Sequence, residues 1–318
     1  MNPAPTIALS TCWNSHRHPE GQDVLEEAAS LGFSHVELGH GTRIVLVEGI
    51  RKAVKAGVVK VASVHNFCPL PAHISHAAPN LYKPTAKDPA ERQLWFRNTI
   101  RTLDFAAELG AGRCILHGGS AEFFWFDPGE ALERASKGKP LDSLPAIPAY
   151  QKRLARSMAR LVNNAQPWMD RLRESLESVI PAAKARGIKL CLENREGFTE
   201  LPMDQDIAGF IASLSEPDTI GYWHDAGHAQ LKQLCGIFPH RELLERNRGR
   251  HFGFHLHDTT AEGRDHQEVG TGTIDWNMVR EFMRPDHLFV LELSPRLDPG
   301  QVVRSRLFIE RLLQTPAP

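Results

Sequence analysis

The segment IKLCLENREG, residues 188–197, contains a short apolar run that ends at a glutamate, Glu193. The same arrangement returns in three later segments, whose apolar runs also lead into acidic or histidine side chains: IGYWHDAGH (220–228), FGFHLHD (252–258) and LFVLELSP (288–295). Short, nearly continuous apolar runs are typical of parallel strands that are buried on both faces. The sequence therefore predicts parallel strands whose polar ends meet at one edge.

Four further runs of this kind lie upstream: TIALSTCW from Thr6, HVELG from His35, VKVASVHNF from Val59 and GRCILHGG from Gly112. Helical patterns separate the runs, and several end at a glycine, the residue preferred just past a helix: Gly32, Gly57, Gly110 and Gly187. Eight strands alternating with helices fit a closed (β/α)8 barrel. A doubly wound sheet requires a glycine-rich phosphate turn after its first strand, and residues 10–14 contain none. We predict an α/β protein with one TIM-barrel domain over residues 1–318.

Two connections are longer than the two to six residues usual for such turns. Residues 68–89 follow the third strand and are rich in proline and histidine, and residues 120–148 follow the fourth and contain FFWFDPG. Connections that follow strands lie on the active-site face of a barrel. We therefore predict two long loops at the barrel mouth that close over a ligand, with tolerated insertions as the alternative.

Composition excludes several classes of protein. Hydrophobic residues make up 42% and charged residues 24% of the 318 residues, as in ordinary ordered proteins. The 37 Lys and Arg against 38 Asp and Glu give a formal net charge of -1, so no overall charge attracts DNA or an acidic membrane. No apolar stretch approaches the roughly 18 to 20 residues that cross a bilayer, and the N-terminus does not resemble a signal peptide.

The cysteines and histidines point to compartment and chemistry. Five cysteines are scattered without a CxxC pair, which predicts reduced thiols in a cytoplasmic protein: Cys12, Cys68, Cys114, Cys191 and Cys235. Sixteen histidines against three tyrosines is an unusual balance, and many of these histidines end apolar runs. The imidazoles therefore form part of the expected site.

Strand ends of a barrel converge on one mouth, so the polar residues there form a set. The set comprises His65, His117, Glu193, Asp225 with His228, His255 with His257 and Asp258, and Glu292, while Glu37 and Trp13 represent the first two strands. Buried acids must be paired, protonated or bound to a cation, and a divalent ion satisfies all of them at once. Mixed oxygen and nitrogen ligands suit Mn²⁺, Co²⁺, Mg²⁺ or Zn²⁺.

In order and spacing, LCLENREG, WHDAGHA, FHLHD with GRDHQEVGTGTIDW, and VLELSP resemble the strand ends of the xylose isomerase-like TIM-barrel superfamily. That superfamily contains sugar isomerases, sugar epimerases and endonuclease IV, and the resemblance covers most of the chain. It implies that four residues form the metal site of the ketose epimerases: Glu193, Asp225, His255 and Glu292.

The endonuclease branch adds ligands at positions equivalent to His65, His117, His228 and His266. Counting back from Gly270 places Arg264 where that branch has its remaining aspartate, with Asp265 displaced by one residue. Gly270-Thr271-Gly272 also lacks the glutamate often found between these glycines. The sequence thus departs from a trinuclear zinc cluster at one ligand, unless a one-residue slip in the loop restores it.

The first hypothesis is a metal-dependent isomerase or epimerase of a small sugar or hydroxy-carbonyl compound, with Glu193 and Glu292 as acid and base. His65, His117 and His228 then bind hydroxyl groups. Four aromatic residues either wall the pocket or pack in the core: Trp13, Phe67, Trp125 and Trp223. A small sugar-like molecule is the expected partner, and the oligomeric state is left open.

The alternative is an endonuclease IV-like zinc phosphodiesterase acting on DNA, which the many histidines favour. The balanced charge and the lack of a Lys/Arg run on the strand-end loops disfavour it, so we expect no nucleic acid partner and no membrane partner. A third hypothesis is a sugar-binding barrel with a purely structural metal. The presence of both Glu193 and Glu292 argues against that class, since a structural site needs only ligands.

Overall fold

The computed structural model describes residues 5–314, in which eight parallel strands form a closed barrel in chain order. The strands are β1 (Thr6–Ser10), β2 (His35–Leu38), β3 (Lys60–His65), β4 (Arg113–Leu116), β5 (Lys189–Glu193), β6 (Ile220–Asp225), β7 (His251–Leu256) and β8 (Leu288–Leu291). Strand β1 pairs with both β2 and β8, which closes the sheet. The predicted (β/α)8 barrel is confirmed, and each strand lies within or next to its predicted run.

Eleven α-helices within residues 5–314 surround the strands. They are α1 (Gly21–Ser30), α2 (Val47–Lys55), α3 (Pro89–Leu109), α4 (Pro128–Ser136), α5 (Pro148–Asn164), α6 (Gln166–Ala185), α7 (Ile207–Ala212), α8 (Ala226–Leu234), α9 (His240–Arg246), α10 (Trp276–Arg280) and α11 (Pro299–Gln314). The predicted helix-ending glycines all have positive φ, as at Gly110 with φ 73°. Helix α8 was not apparent from the sequence because residues 226–230 are all buried, which leaves no amphipathic stripe.

The two long connections differ from each other. Residues 66–88 after β3 contain no helix or strand, as predicted. The connection after β4 was predicted as a loop, but it includes α4. Asp127 caps this helix by accepting from the Gly129 and Glu130 backbone N–H groups at 2.7 and 3.1 Å, and Pro128 is its first residue. Asp-Pro-Gly-Glu is thus a helix start in this connection, although the same residues also suit a turn.

The apolar core has two layers. The barrel interior holds a cluster of six residues: Ala8, Ile115, Cys191, Trp223, Leu288 and Val290. A larger layer packs between the strands and the helices. Of the four aromatic residues considered for the pocket, Trp13, Phe67 and Trp223 are buried in these layers, whereas Trp125 is 69% exposed. The packing interpretation therefore holds for three of them.

Strand register brings the site residues to one level. Asp225 of β6 pairs with His255 of β7, and Glu193 of β5 pairs with Trp223. Glu292 directly follows β8, whose last residue, Leu291, pairs with Leu256. All five cysteines are free, as expected. Among the described residues, no helix has the length and hydropathy needed to cross a membrane.

Candidate active site and metal centre

The four residues implied by the resemblance lie together at the carboxyl ends of β5 to β8. Glu193, Asp225, His255 and Glu292 each offer a ligand atom, and these atoms lie within 4.8 Å of one another. His255 Nδ1 is 3.0 Å from Glu193 Oε1, 3.0 Å from Glu292 Oε2 and 3.7 Å from Asp225 Oδ2. All four side chains are buried. The arrangement offers three carboxylates and one imidazole nitrogen to a single point.

Glu37 fixes the ring of His255 from the opposite side. Its Oε1 atom lies 3.2 Å from His255 Nε2, and it accepts hydrogen bonds from Ser10 Oγ at 3.1 Å and Ser63 Oγ at 2.8 Å. A carboxylate behind a ligating imidazole holds the proton on the outer nitrogen and directs the inner one at the ion. The sequence showed Glu37 at a strand end but not its contact with His255, which joins β2 to β7.

His257 holds Asp225 in a similar way. The His266 backbone N–H donates to His257 Nδ1 over 2.8 Å, so Nδ1 carries no proton and Nε2 carries one. His257 Nε2 lies 3.0 Å from Asp225 Oδ1, which also accepts the His228 backbone N–H at 2.7 Å and so caps α8. His257 therefore orients Asp225 instead of offering a lone pair to an ion.

A second group shares Glu193. The Nδ1–H groups of His65 and His117 donate to the Asn66 carbonyl and to Asn80 Oδ1 at 3.1 and 2.9 Å. Burial holds the pKa of His117 well below its usual value, so this ring is neutral and its Nε2 carries a lone pair. The Nε2 atoms of His65 and His117 lie 3.5 and 3.0 Å from Glu193 Oε2. His117 Nε2 and Glu193 Oε2 are buried and have no partner in hydrogen-bonding geometry. Buried lone pairs that face each other in this way fit a divalent cation.

A third group is incomplete. His228, His257 and His266 also bring ligand atoms within 4.8 Å of one another, but His257 has no free lone pair. Arg264, the predicted neighbour of this group, has a side chain that is 73% exposed. Asp265 Oδ1 instead lies 3.2 Å from His266 Nδ1. In the structure, Asp265 and not Arg264 therefore contacts His266.

Opposite charges compensate one another in the site. Burial raises the pKa of Glu193, but the Arg195 guanidinium and His255 outweigh burial and hold this pKa well below its usual range. Burial likewise opposes ionisation of Glu292, yet His255 and His266 keep its pKa well below normal. For His255, the carboxylates of Glu292 and Glu37 outweigh burial and raise its pKa well above its usual value. Both glutamates are therefore ionised, as ligation and proton acceptance require, whereas His255 is protonated in the metal-free protein and would release its Nδ1 proton when an ion binds.

Arg195 and Glu196 are site residues whose roles the sequence did not reveal, although both belong to the quoted LCLENREG. Arg195 Nη1 lies 3.4 Å from Glu193 Oε2, and its Nη2 lies 2.9 Å from Glu196 Oε2. His228 donates through Nδ1 to the Asn194 carbonyl at 3.1 Å and places Nε2 3.2 Å from Glu196 Oε2. These contacts extend the polar surface from the metal centre towards solvent.

A cavity of about 740 Å³ opens beside Glu292 and His266. His40 also lines it, and His40 Nδ1 is buried without a hydrogen-bond partner. Burial, together with the neighbouring His65, lowers the pKa of His40 to about 3, so the ring is neutral. A neutral imidazole in this position suits a hydroxyl group. Nothing in the sequence distinguished His40 from the other histidines.

Comparison with known proteins agrees with this architecture. Three solved structures share the fold at low sequence identity. A D-tagatose 3-epimerase-like protein is 16% identical, with a TM-score of 0.68 and 97% of both chains covered. The D-psicose 3-epimerase of Clostridium cellulolyticum H10 is 11% identical, with a TM-score of 0.66 over 98% of this chain and 100% of that one. The E. coli 3-keto-D-glucoside 4-epimerase is 16% identical, with a TM-score of 0.63 over 96% and 99%.

No curated protein matches the chain in sequence. The family model described as xylose isomerase-like TIM barrel matches residues 25–311, which include every strand end of the site except that of β1. With the barrel, the strand-end carboxylates and this match in agreement, the chain belongs to the xylose isomerase-like TIM-barrel family.

Proposed function

We propose that the protein is a divalent-metal-dependent isomerase or epimerase of a small sugar or hydroxy-carbonyl compound. One observation carries the proposal: Glu193 and Glu292 approach the same atom, His255 Nδ1, at 3.0 Å each from the ends of β5 and β8. Two ionised carboxylates thus flank one point from separate strands. This is what removal of a proton from one face of a carbon and its return to another requires.

Glu193, Asp225, His255 and Glu292 are the residues that would hold the ion. When bound there, a divalent metal supplies stabilisation of negative charge on the oxygen beside the reacting carbon. Glu193 Oε1 and Glu292 Oε2 face His255, while Glu193 Oε2 lies beside Nε2 of His65 and His117. With a single ion at the four-residue group, Glu193 Oε2 and the second oxygen of Glu292 would be the atoms that exchange a proton with the substrate. One glutamate takes the carbon-bound proton, and the other returns one.

The surrounding imidazoles suit a polyhydroxy substrate. His40 and His117 each have a buried ring nitrogen without a partner in hydrogen-bonding geometry. His228 presents Nε2 beside Glu196. Donors and acceptors fixed in this way orient hydroxyl groups and hold the reacting carbon between the two glutamates. The names of the three solved structures described above, two sugar epimerases and one epimerase-like protein, support the same substrate class.

Carbon-bound hydrogen exchange with deuterated water tests the proposal across ketoses, ketose phosphates and hydroxypyruvate. We expect exchange only with metal-loaded protein. Glu193→Gln and Glu292→Gln should each lower turnover by about 10² to 10⁴-fold while substrate still binds, since the amide cannot accept the proton. Glu281→Gln is the matched control, because Glu281 pairs with Arg241 on the exposed surface. No exchange with any compound would contradict the proposal.

A zinc phosphodiesterase is the second candidate, favoured by the second ligand group of His65, His117 and Glu193. Because the third group lacks a ligand, we expect no trinuclear cluster. Because the other two groups share Glu193, we expect one tightly bound ion per chain. Elemental analysis of the purified protein checks this count. Three zinc ions per chain, together with metal-dependent cleavage of abasic DNA, would replace the isomerase proposal with the phosphodiesterase.

A further inference from the structure

The cavity beside Glu292 has chemically distinct inner and outer ends. Its inner end is formed by Glu292, a member of the four-residue metal centre, and by His266, a member of the incomplete third group. Three arginines from separate loops also line the cavity: Arg43 after β2, Arg264 after β7 and Arg296 after β8. Their distance along the chain explains why no basic run appears in the sequence. None of the three arginines belongs to a metal-binding group.

None of these guanidinium groups is neutralised by a close carboxylate within residues 5–314. Arg43 Nη2 donates to the His18 carbonyl at 2.8 Å and contacts the Ser15 carbonyl at 3.4 Å, so only neutral oxygens hold it. Arg296 is exposed, and its recorded contact is a backbone N–H to Ser294 Oγ. Arg264 has only Glu262 nearby, at 3.9 Å, and both side chains are about 70% exposed.

Several other arginines of the chain, by contrast, lie against acids. Arg186 Nη2 is 2.6 Å from Asp104 Oδ1, Arg241 Nη2 is 2.7 Å from Glu281 Oε1, and Arg304 Nε is 2.6 Å from Glu268 Oε1. The acids that line the cavity are Asp265 and Glu292, and both contact His266 at the inner end. The outer wall is therefore positive, although the whole chain carries a formal net charge of -1.

We propose that the substrate carries an anionic oxygen group, a phosphate monoester or a carboxylate, on the end remote from the reacting carbon. Arg43, Arg264 and Arg296 bind that group, while the sugar-like part lies over Glu292. Guanidinium groups bind both anions through charge-assisted hydrogen bonds. A cavity of about 740 Å³ has room for a substrate that extends beyond the metal centre. This inference rests on the proposed isomerase function.

Paired substrates test the inference through the exchange reaction. Ketopentoses and ketohexoses are compared as the free sugar, as the terminal phosphate and as the terminal carboxylate. We expect kcat/KM for one anionic form to exceed kcat/KM for the free sugar by about 10-fold to 100-fold. Phosphate and carboxylate are separate arms, so the preferred anion is identified directly. Equal kcat/KM for free and anionic sugars would overturn the inference and leave the isomerase function intact.

Arginine variants supply the second measurement. Arg43→Gln, Arg264→Gln and Arg296→Gln should each raise KM for the anionic substrate by about 10-fold or more, with kcat and free-sugar kinetics little changed. Arg241→Gln is the control, because Arg241 pairs with Glu281 and lies in helix α9, which precedes β7. Variants that leave KM for the anion unchanged would also overturn the inference.

Direct binding keeps the test independent of catalysis. Calorimetric titration of the same sugar phosphates into chelator-treated protein should show binding that added salt weakens and each arginine variant reduces. If no compound exchanges but this binding is found, the isomerase function fails and the anion site stands. If an abasic oligonucleotide binds instead, and the variants weaken only that complex, the arginines contact a nucleic acid backbone and the inference is wrong.

Discussion

Glu37 contacts the metal centre only through the ring of His255. We expect Glu37→Gln to weaken divalent metal binding by about 10-fold to 100-fold, since a neutral amide oxygen is a weaker acceptor for the His255 Nε2–H than a carboxylate is. Competition with a chelator measures the affinity. Glu48→Gln, at a glutamate whose side chain is 89% exposed, is the control. Wild-type affinity in Glu37→Gln would show that the Glu37 carboxylate does not set the metal affinity.

Individual residues were predictable where they follow an apolar run directly. Glu193, Asp225 and His255 lie within or at the end of their strands, and strand ends meet in any barrel. Glu37, by contrast, gains its role from a contact across the barrel interior, and His40 from a missing partner. Neither role can be predicted from the local sequence, because both depend on the register between strands that are distant in the chain.

Strand β7 shows how packing inside the barrel limits substitution. A Cβ atom on Gly253 would lie 2.2 Å from Trp223 Cζ3 and 2.6 Å from the Leu288 carbonyl oxygen. We expect Gly253→Ala to lower the free energy of unfolding by about 1 to 3 kcal/mol, the cost of overpacking a core. Urea denaturation measures the change.

Gly209 in helix α7 is the matched control, and its substitution by alanine should change the free energy of unfolding in the opposite direction. Nothing lies within 4 Å of a Cβ added there, and its φ is not in the left-handed region. Gly209→Ala should therefore stabilise the protein by roughly 0.5 to 1 kcal/mol, because alanine loses less backbone entropy in a helix. If Gly253→Ala were equally stabilising, the Trp223 side chain would have to move within the barrel.

Elements were predictable in proportion to their periodicity. The strands are short and largely apolar, so all of them were recognised. The sequence has one helical pattern from residue 150 to 187. The structure divides it into two helices, α5 and α6, that meet at Ala165. Pro167 explains the division, since proline at the start of α6 cannot donate the hydrogen bond that would continue α5. Helices α4 and α8 were missed because capping and burial define them more than amphipathic spacing does.

Across the whole molecule, buried neutral histidines make stability depend on pH. Burial lowers the pKa of His240 and of His287 to about 4, and burial with His287 lowers that of His251 to about 3. In the unfolded chain each takes up a proton near pH 6.5. The unfolded state therefore binds more protons between pH 6.5 and about 4. The stability present above pH 6.5 is lost progressively as the pH falls through this window.

We expect the free energy of unfolding to fall by on the order of 1 kcal/mol per such histidine between pH 7 and pH 5. Urea denaturation at a series of pH values measures the slope. His240→Gln should have a shallower slope than wild type, whatever its stability at pH 7, whereas His73→Gln, at an exposed position, should keep the wild-type slope. Identical slopes for His240→Gln and wild type would mean that His240 does not contribute to the acid sensitivity.

One carboxylate joins the chemistry to the scaffold. Asp225 is a member of the ligand group and also caps helix α8 through the His228 backbone N–H. Any free energy gained when an ion binds the folded state is shared with whatever the ligand holds in place. An ion bound at this group would therefore oppose local opening of the first turn of α8, and opening of that turn would weaken binding of the ion. A cell that varies its free metal concentration would tune the rigidity of one wall of the barrel.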